Sequence, residues 1–231
     1  MTDNAGFTFM TVDARPMLPP DWAEQLRTLA DREAVYRELE TSSVTSREES
    51  SFDRIPSLTV DGTVVAAQTP WLADLYRGAF RDLATRLAGR PVDCATVDLY
   101  GAVLNVQRGR MRYECHVDSN PVQGLLYATT HRPGEGGELV VARDPAAHSV
   151  KQVDEDCTVI HPTAGQLLLF DARRWPHYVR ELVDPDAVRI VVAMNFYTED
   201  CPESARPADL DAHLFGREPV MTARGPGLRT R

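Results

Sequence analysis

The stretch Tyr113-Glu114-Cys115-His116-Val117-Asp118 decides how the rest of the chain is read. Side chains on an extended segment alternate faces, so His116 and Asp118, two apart, point the same way. One strand thereby offers an imidazole nitrogen and a carboxylate oxygen to a single metal ion. A third ligand has to come from elsewhere in the chain, and His177 is the candidate. Two histidines and one carboxylate on one side of a metal suit a non-haem Fe(II) centre and leave its other positions open. Cys115 alternates to the opposite face and is not counted as a ligand.

Working outward, the hydrophobic period from Cys94 onward is that of strands. They are expected near 95–107, 112–116, 124–129, 138–142, 158–161, 166–170, 178–182 and 188–197. Turn signals separate them, among them Arg108-Gly109-Arg110, Pro133-Gly134-Glu135-Gly136-Gly137 and Asp184-Pro185-Asp186. The N-terminal third reads differently. A strand is expected over 7–12, then a helix from an Asp21 N-cap to about 39 that buries Trp22, Leu26, Leu29 and Val35. Thr69-Pro70 opens a second helix, with Leu72, Leu75, Tyr76, Phe80, Leu83 and Leu87 on one stripe and Gly89 as its stop. The sequence therefore predicts a mainly β fold with helices, a double-stranded β-helix (jelly-roll, cupin-like) core braced by N-terminal helices.

At 231 residues the chain suits a single domain. Within it, 1–90 is read as helical support, 91–200 as the jelly-roll catalytic core and 201–231 as a C-terminal segment with one helical patch over 208–215. The polar, aperiodic run at 41–54 reads as an exposed linker or as a lid over a site. The net charge of −9 argues against nucleic acid as a partner. No run has the length of a membrane helix, and Met1-Thr2-Asp3-Asn4 lacks an apolar leader, so a cytoplasmic location without a membrane partner is expected. Cys94, Cys115, Cys157 and Cys201 show no metal-site or disulfide spacing and read as reduced thiols. All but one of the 25 basic residues are arginine, Lys151 being the exception, so an arginine at any one site carries little weight alone. Oligomeric state, monomer or homodimer, is left open.

The order His116-x-Asp118, His177, Arg189 resembles the Fe(II)/2-oxoglutarate-dependent dioxygenase superfamily. The likeness extends to Gly124-Leu125-Leu126-Tyr127 and to Gly136-Gly137-Glu138-Leu139, which looks like the GGEL turn of prolyl-4-hydroxylase-like members. It also takes in Gly165-Gln166-Leu167-Leu168-Leu169-Phe170 ahead of His177. Residues 116–129 further resemble small enzymes acting on free amino acids, a group that includes halogenases with a small residue in place of the ligand carboxylate. The resemblance implies Fe(II) as cofactor, with 2-oxoglutarate and dioxygen as co-substrates. It also implies oxidative decarboxylation of 2-oxoglutarate to succinate and carbon dioxide. Because Asp118 is present, it implies hydroxylation rather than halogenation.

The same resemblance assigns Arg189, twelve residues after His177, to the far carboxylate of 2-oxoglutarate. Many relatives carry Ser two residues after that arginine, whereas this chain has Val191, so a second anchor is sought in Tyr127 or Thr129. Asn105 is a candidate for the inner carboxylate. On the substrate side stand Arg54, Tyr113, Asn195 and Tyr197. Alternation in 188–197 puts Arg189, Val191, Ala193, Asn195 and Tyr197 on one face and leaves Val188, Ile190, Val192, Met194 and Phe196 as the supporting face. The expected activity is hydroxylation of an unactivated carbon of a small molecule, a free amino acid or a natural-product intermediate. The alternatives are a protein or peptide hydroxylase and a non-catalytic, cupin-like metal or ligand sensor. His131, His148 and His213 read as solvent-facing.

Overall fold

The computed structural model describes residues 2–4, 7–39, 45–48, 55–208 and 210–216. The N-terminal part runs β1 (Thr2–Asn4), β2 (Phe7–Asp13), α1 (Trp22–Glu33), β3 (Val35–Leu39), β4 (Ile55–Val60), α2 (Gly62–Gln68), α3 (Pro70–Leu75) and α4 (Arg81–Ala88). Then come β5 (Asp93–Cys94), β6 (Ala102–Arg108), β7 (Tyr113–His116), β8 (Val122–Tyr127), β9 (Leu139–Ala142), α5 (Val150–Glu155) and β10 (Cys157–Ile160). The chain continues with β11 (Gln166–Asp171), β12 (His177–Val179), β13 (Val188–Tyr197) and α6 (Leu210–Phe215).

Two antiparallel sheets form a jelly roll. The larger has the order β1-β2-β11-β8-β13-β6-β4-β3, with β5 also on β13, and the smaller runs β10-β9-β12-β7. β13 is central, paired to β6 along one edge and to β8 along the other. Its alternation sorts side chains between two cores. Ile190, Val192, Met194 and Phe196 pack with Leu26, Leu29, Leu72, Tyr76 and Phe80 under the helices, while Val191 joins Phe7, Leu139, Phe170 and Trp175 between the sheets. Phe196 is fully buried; its truncation to alanine would cost about 3–5 kcal/mol and loosen the helices from the sheet. Gly124 lets this happen, since a Cβ there would meet Leu169, Phe196 and Met194 side chains at 3.2–3.4 Å.

The structure corrects several local expectations. The helix expected to reach 39 stops at Glu33, and Val35–Leu39 is a strand paired to Ile55–Val60. Its β-branched and aromatic residues fit a pleated strand, and the pairing partner lies too far along the chain to be seen locally. Val35 and Tyr36 are consequently exposed, not part of a buried helix face. The Asp21 side chain makes no capping hydrogen bond. The Thr69 hydroxyl donates to the Val65 carbonyl at 2.6 Å, closing α2 rather than capping α3. The long stripe from Pro70 to Gly89 widens at Tyr76–Phe80 into a π-type turn around Gly78, and Gly89 ends it in the left-handed conformation (φ 68). The strand expected over 95–107 begins at Ala102, because Asp98–Tyr100 forms a 3-10 turn. Gly62 is packed so closely on that turn that a Cβ would lie 1.9 Å from the Asp98 carbonyl oxygen. α2 and α5 had no counterpart in the sequence reading.

The four cysteines are free thiols. Cys115 is fully buried on the far side of β7, with Val140, Ala142 and Tyr178. Among the described residues, no helix is long and apolar enough to cross a membrane.

Candidate metal centre and its cavity

β7 and β12 are antiparallel neighbours with His116 opposite His177. Asp118 lies just beyond β7, where its backbone N–H donates to the Ala172 carbonyl at 3.0 Å. One ligand atom from each of His116, Asp118 and His177 lies within 4.8 Å of the others. Nε2 of His116 is 3.1 Å from Asp118 Oδ1, and Nε2 of His177 is 3.9 Å from Oδ2. Each imidazole is tied through Nδ1 to a carbonyl two residues back, Glu114 at 2.7 Å and Trp175 at 2.9 Å. With the proton on Nδ1, both Nε2 lone pairs face the carboxylate, the orientation a metal ligand needs. Phe170 stands edge-on to His177 with centroids 5.2 Å apart. Two neutral-capable imidazoles and a carboxylate thus fit a divalent iron.

Charge and burial compete at these ligands. Burial, then the neighbouring His116, pushes His177 down to about 4. Burial also disfavours protonated His116, but the Asp118 carboxylate outweighs it and raises His116 to about 9. Burial opposes ionisation of Asp118 too, yet the His116 contact holds its carboxyl below the usual range. Gln123, unforeseen in the sequence, completes the support. With its amide nitrogen turned towards them, Gln123 donates to Asp118 Oδ2 at 3.1 Å and to Asn195 Oδ1 at 2.7 Å, and its oxygen accepts from Met194 N–H. Gln123 and Asn195 are register partners on β8 and β13.

Arg189 projects from β13 into the same cavity and is 3% exposed. Its Nε is buried without a hydrogen-bond partner, and the guanidinium carbon lies 5.5 Å from the Tyr127 ring centroid. Burial lowers its pKa from the ordinary arginine value. The Tyr127 hydroxyl is likewise buried without a partner. A buried cation with an unused donor, beside an unused hydroxyl, is a site that an anionic group would satisfy.

The cavity is about 140 Å³ and is walled by both sheets and by the C-terminal segment. Asn105, Tyr113 and Asn195 line it, as do Val191 and Ala193. Asn195 Nδ2 donates to the Tyr100 carbonyl at 2.6 Å. Thr129 and Tyr197 are placed elsewhere. The Thr129 hydroxyl accepts from the Ile190 N–H at 3.0 Å, and Tyr197 packs with Leu99, Tyr100, Val103 and Phe215. Tyr197 keeps the face of β13 that alternation gave it but lies behind Tyr100, Val103 and Phe215, which line the cavity in its place. Arg54 lies outside the described residues, as does most of 41–54. The described part, Thr45–Glu48, adds to the outer edge of β7. Val117 N–H donates to Thr45 O at 2.9 Å, and Arg47 N–H to Cys115 O at 2.7 Å. The Glu48 carboxylate, 1% exposed, takes two bonds of 2.6 Å from Arg112 and one of 2.5 Å from the Cys115 N–H. His131 is buried, not solvent-facing, with Nε2 3.3 Å from the Val188 carbonyl next to Arg189. His148 is exposed. The cavity-lining Arg206, Leu210, Leu214 and Phe215 were not singled out in the sequence, because no motif marks the C-terminal segment.

Residues 102–197 match the sequence model of the 2OG-Fe(II) oxygenase superfamily. No curated protein matches the chain. The fold is similar to that of SnoN, the non-haem alpha-ketoglutarate-dependent epimerase from nogalamycin biosynthesis, with a TM-score of 0.62 at 14% identity, covering 96% of this chain and 88% of that one. It is also similar to AviO1 from Streptomyces viridochromogenes Tue57, with a TM-score of 0.59, 16% identity and coverage of 85% and 92%. EctD from S. alaskensis, in its apoform, gives a TM-score of 0.58 at 16% identity, covering 95% of this chain and 84% of that one.

Proposed function

We propose that the chain is a member of the 2OG-Fe(II) oxygenase superfamily, whose model matches residues 102–197, and that it hydroxylates an unactivated carbon of a small molecule, a free amino acid or a natural-product intermediate. The observation that carries this reading is one cavity holding both the His116, Asp118, His177 cluster and the buried Arg189 with its unused donor. The family uses Fe(II) and 2-oxoglutarate, and iron held by the cluster supplies oxidative decarboxylation of the 2-oxo acid coupled to oxygen insertion into substrate. The residues supply everything around it. Arg189 grips the distal carboxylate of 2-oxoglutarate through a charge-assisted fork, and the Tyr127 hydroxyl is the second donor. Asn105 and Tyr113 steady the co-substrate and substrate from the cavity wall. Asn195, held by Tyr100 and Gln123, fixes the substrate side. Val191, Ala193, Leu125 and Phe170 keep water from the reacting carbon.

Asp118 directs the outcome towards hydroxylation. With His116 and His177 it would hold the iron as a third protein ligand, where the halogenases of the resembling group carry a small residue, and that favours hydroxylation over halogenation. The C-terminal helix and the Thr45–Glu48 strap border the cavity, which favours a small substrate over a peptide lying in an open groove. Arg189 favours turnover over a sensor role. The test is succinate release with Fe(II), 2-oxoglutarate, labelled dioxygen and abundant chloride across a panel of free amino acids. Succinate formed in step with a product heavier by one labelled oxygen is expected. A chlorinated main product would reject hydroxylation, and no substrate-stimulated succinate from any panel member would reject free amino acids as the substrate class.

A further inference from the structure

Among the described residues, two arginines with buried side chains line the cavity, and the chemistry above uses only Arg189. The second is Arg206, between β13 and α6, with a side chain 8% exposed. Its Nη1 donates to Asp211 at 2.8 Å, and its guanidinium carbon lies 3.3 Å from the centroid of the Tyr100 ring. Its Nε is buried with no acceptor. A guanidinium centred over an aromatic ring and tied at one Nη has little freedom to turn its remaining N–H groups. The Asp211 pair accounts for one edge of the fork and leaves Nε unexplained.

The location gives Arg206 a role. Tyr100, on which it stacks, accepts from Asn195, and Asn195 meets Gln123, which meets Asp118. Arg206 is therefore connected to the metal cluster from the Asn195 end of β13. Arg189 precedes Asn195 by six residues, a backbone span of roughly 20 Å at about 3.3 Å per residue. The two arginines thus enter the cavity from opposite ends of β13. Apolar side chains surround the Arg206 end: Val103, Leu214 and Phe215 cluster with Tyr100 and also line the cavity.

We propose that Arg206 is a substrate-binding residue that receives the carboxylate of the molecule being oxidised, with Leu214 and Phe215 packed on its apolar body. The substrate class is then small carboxylic acids with an apolar skeleton, free amino acids included. A carboxylate is the acceptor whose two oxygens match the free side of a guanidinium fork. This rests on the oxygenase reading of the cavity and adds what selects its substrate.

The test is anaerobic calorimetry on the enzyme loaded with Fe(II) and saturating 2-oxoglutarate, so that Arg189 is engaged and no turnover occurs. The probes are matched acid and amide pairs: L-leucine and L-leucinamide, L-phenylalanine and L-phenylalaninamide, hexanoate and hexanamide. Removing Arg206 alone would strand Asp211 without that cation, so the variants are Arg206→Gln/Asp211→Asn and Arg206→Lys. Arg206→Lys keeps the charge and loses the planar fork. At least one acid should bind wild type about tenfold or more tighter than its amide, as a charge-assisted contact requires. The double variant should bring that ratio to within about twofold, Arg206→Lys should lower it partway, and 2-oxoglutarate affinity should stay unchanged. Three results would overturn the assignment while leaving the oxygenase reading intact: no acid binding, acid and amide binding alike, or discrimination surviving the double variant. Loss of iron-dependent 2-oxoglutarate binding in the wild type would instead remove the parent reading along with it.

Discussion

Gly137 and Arg189 share a space that admits only one side chain. A Cβ on Gly137 would lie 3.0 Å from Arg189 Cδ and 3.0 Å from Leu182 Cδ2, and the Gly137 backbone sits at φ +76. Close approach and a left-handed backbone both demand glycine here. The turn after Pro133 thereby leaves a slot along which the Arg189 stem reaches the cavity.

Arg189→Gln should raise the 2-oxoglutarate requirement about a hundredfold or more, the loss expected when a buried charge pair is cut. Metal affinity should hardly change. Gly137→Ala should move the requirement in the same direction by a smaller factor, with a lowered melting temperature from the strained φ. Titration of 2-oxoglutarate with iron present reads both. A Gly137→Ala enzyme with wild-type co-substrate affinity would show that the slot does not position Arg189.

His177→Ala removes one of three proposed ligands from a site 5% exposed at that side chain. Fe(II) affinity should fall by more than the 10- to 100-fold typical of a supporting residue, and turnover should vanish. Stability should drop modestly, since the vacated space is small. Metal titration followed by succinate assay measures it; intact iron binding would place the centre elsewhere.

Gln123→Leu tests the support of Asp118. The contact at 3.1 Å orients the carboxylate, and Gln123 is 6% exposed. Iron affinity should weaken roughly 10- to 100-fold while the ligand set stays complete. Gln123→Glu should weaken it further at neutral pH, because a second carboxylate would face Asp118. Equal affinities for wild type and Gln123→Leu would leave Asp118 oriented by its backbone alone.

Without metal, His116 holds its proton up to about 9 because Asp118 is adjacent. Metal binding needs that nitrogen free, so uptake should release about one proton near neutrality and strengthen as pH rises towards about 9. The metal-free fold should show the reverse slope. A histidine pKa raised on folding stabilises fully below about 6.5, and that contribution fades as pH climbs through the folded value. His177, lowered to about 4, releases no proton on metal uptake at neutral pH. Its own contribution to fold stability rises as pH passes about 6.5 and opposes the His116 slope there, so the fold slope is read above about 7.5. Calorimetry in buffers of different ionisation enthalpy, and melting of metal-free protein from pH 6 to 9, test the two slopes. Metal affinity independent of pH over that range would contradict the His116–Asp118 pairing.

The sequence by itself determined whatever strand periodicity carries. His116 and Asp118 two apart, and Arg189 alternating with the apolar face of Val188–Tyr197, follow from a period of two, and the structure keeps those faces. The family resemblance supplied the long spacing to His177. What only the tertiary structure decided is what long-range pairing brings together. Val35–Leu39 became a strand because Ile55–Val60 was there to pair with it. Glu48 closes on Arg112 and the Cys115 N–H across more than sixty residues of chain. Gln123 meets Asp118 through a turn with no motif, and Arg206 is carried onto Tyr100 from beyond the last strand. Thr129, sought as a second anchor, lies two residues beyond β8 and is held by the Ile190 N–H, while Tyr197, named from alternation, is at the end of β13 behind a cluster that forms the cavity wall. Local pattern sets which face a residue occupies; only the packed sheets set which residues from distant segments share a cavity.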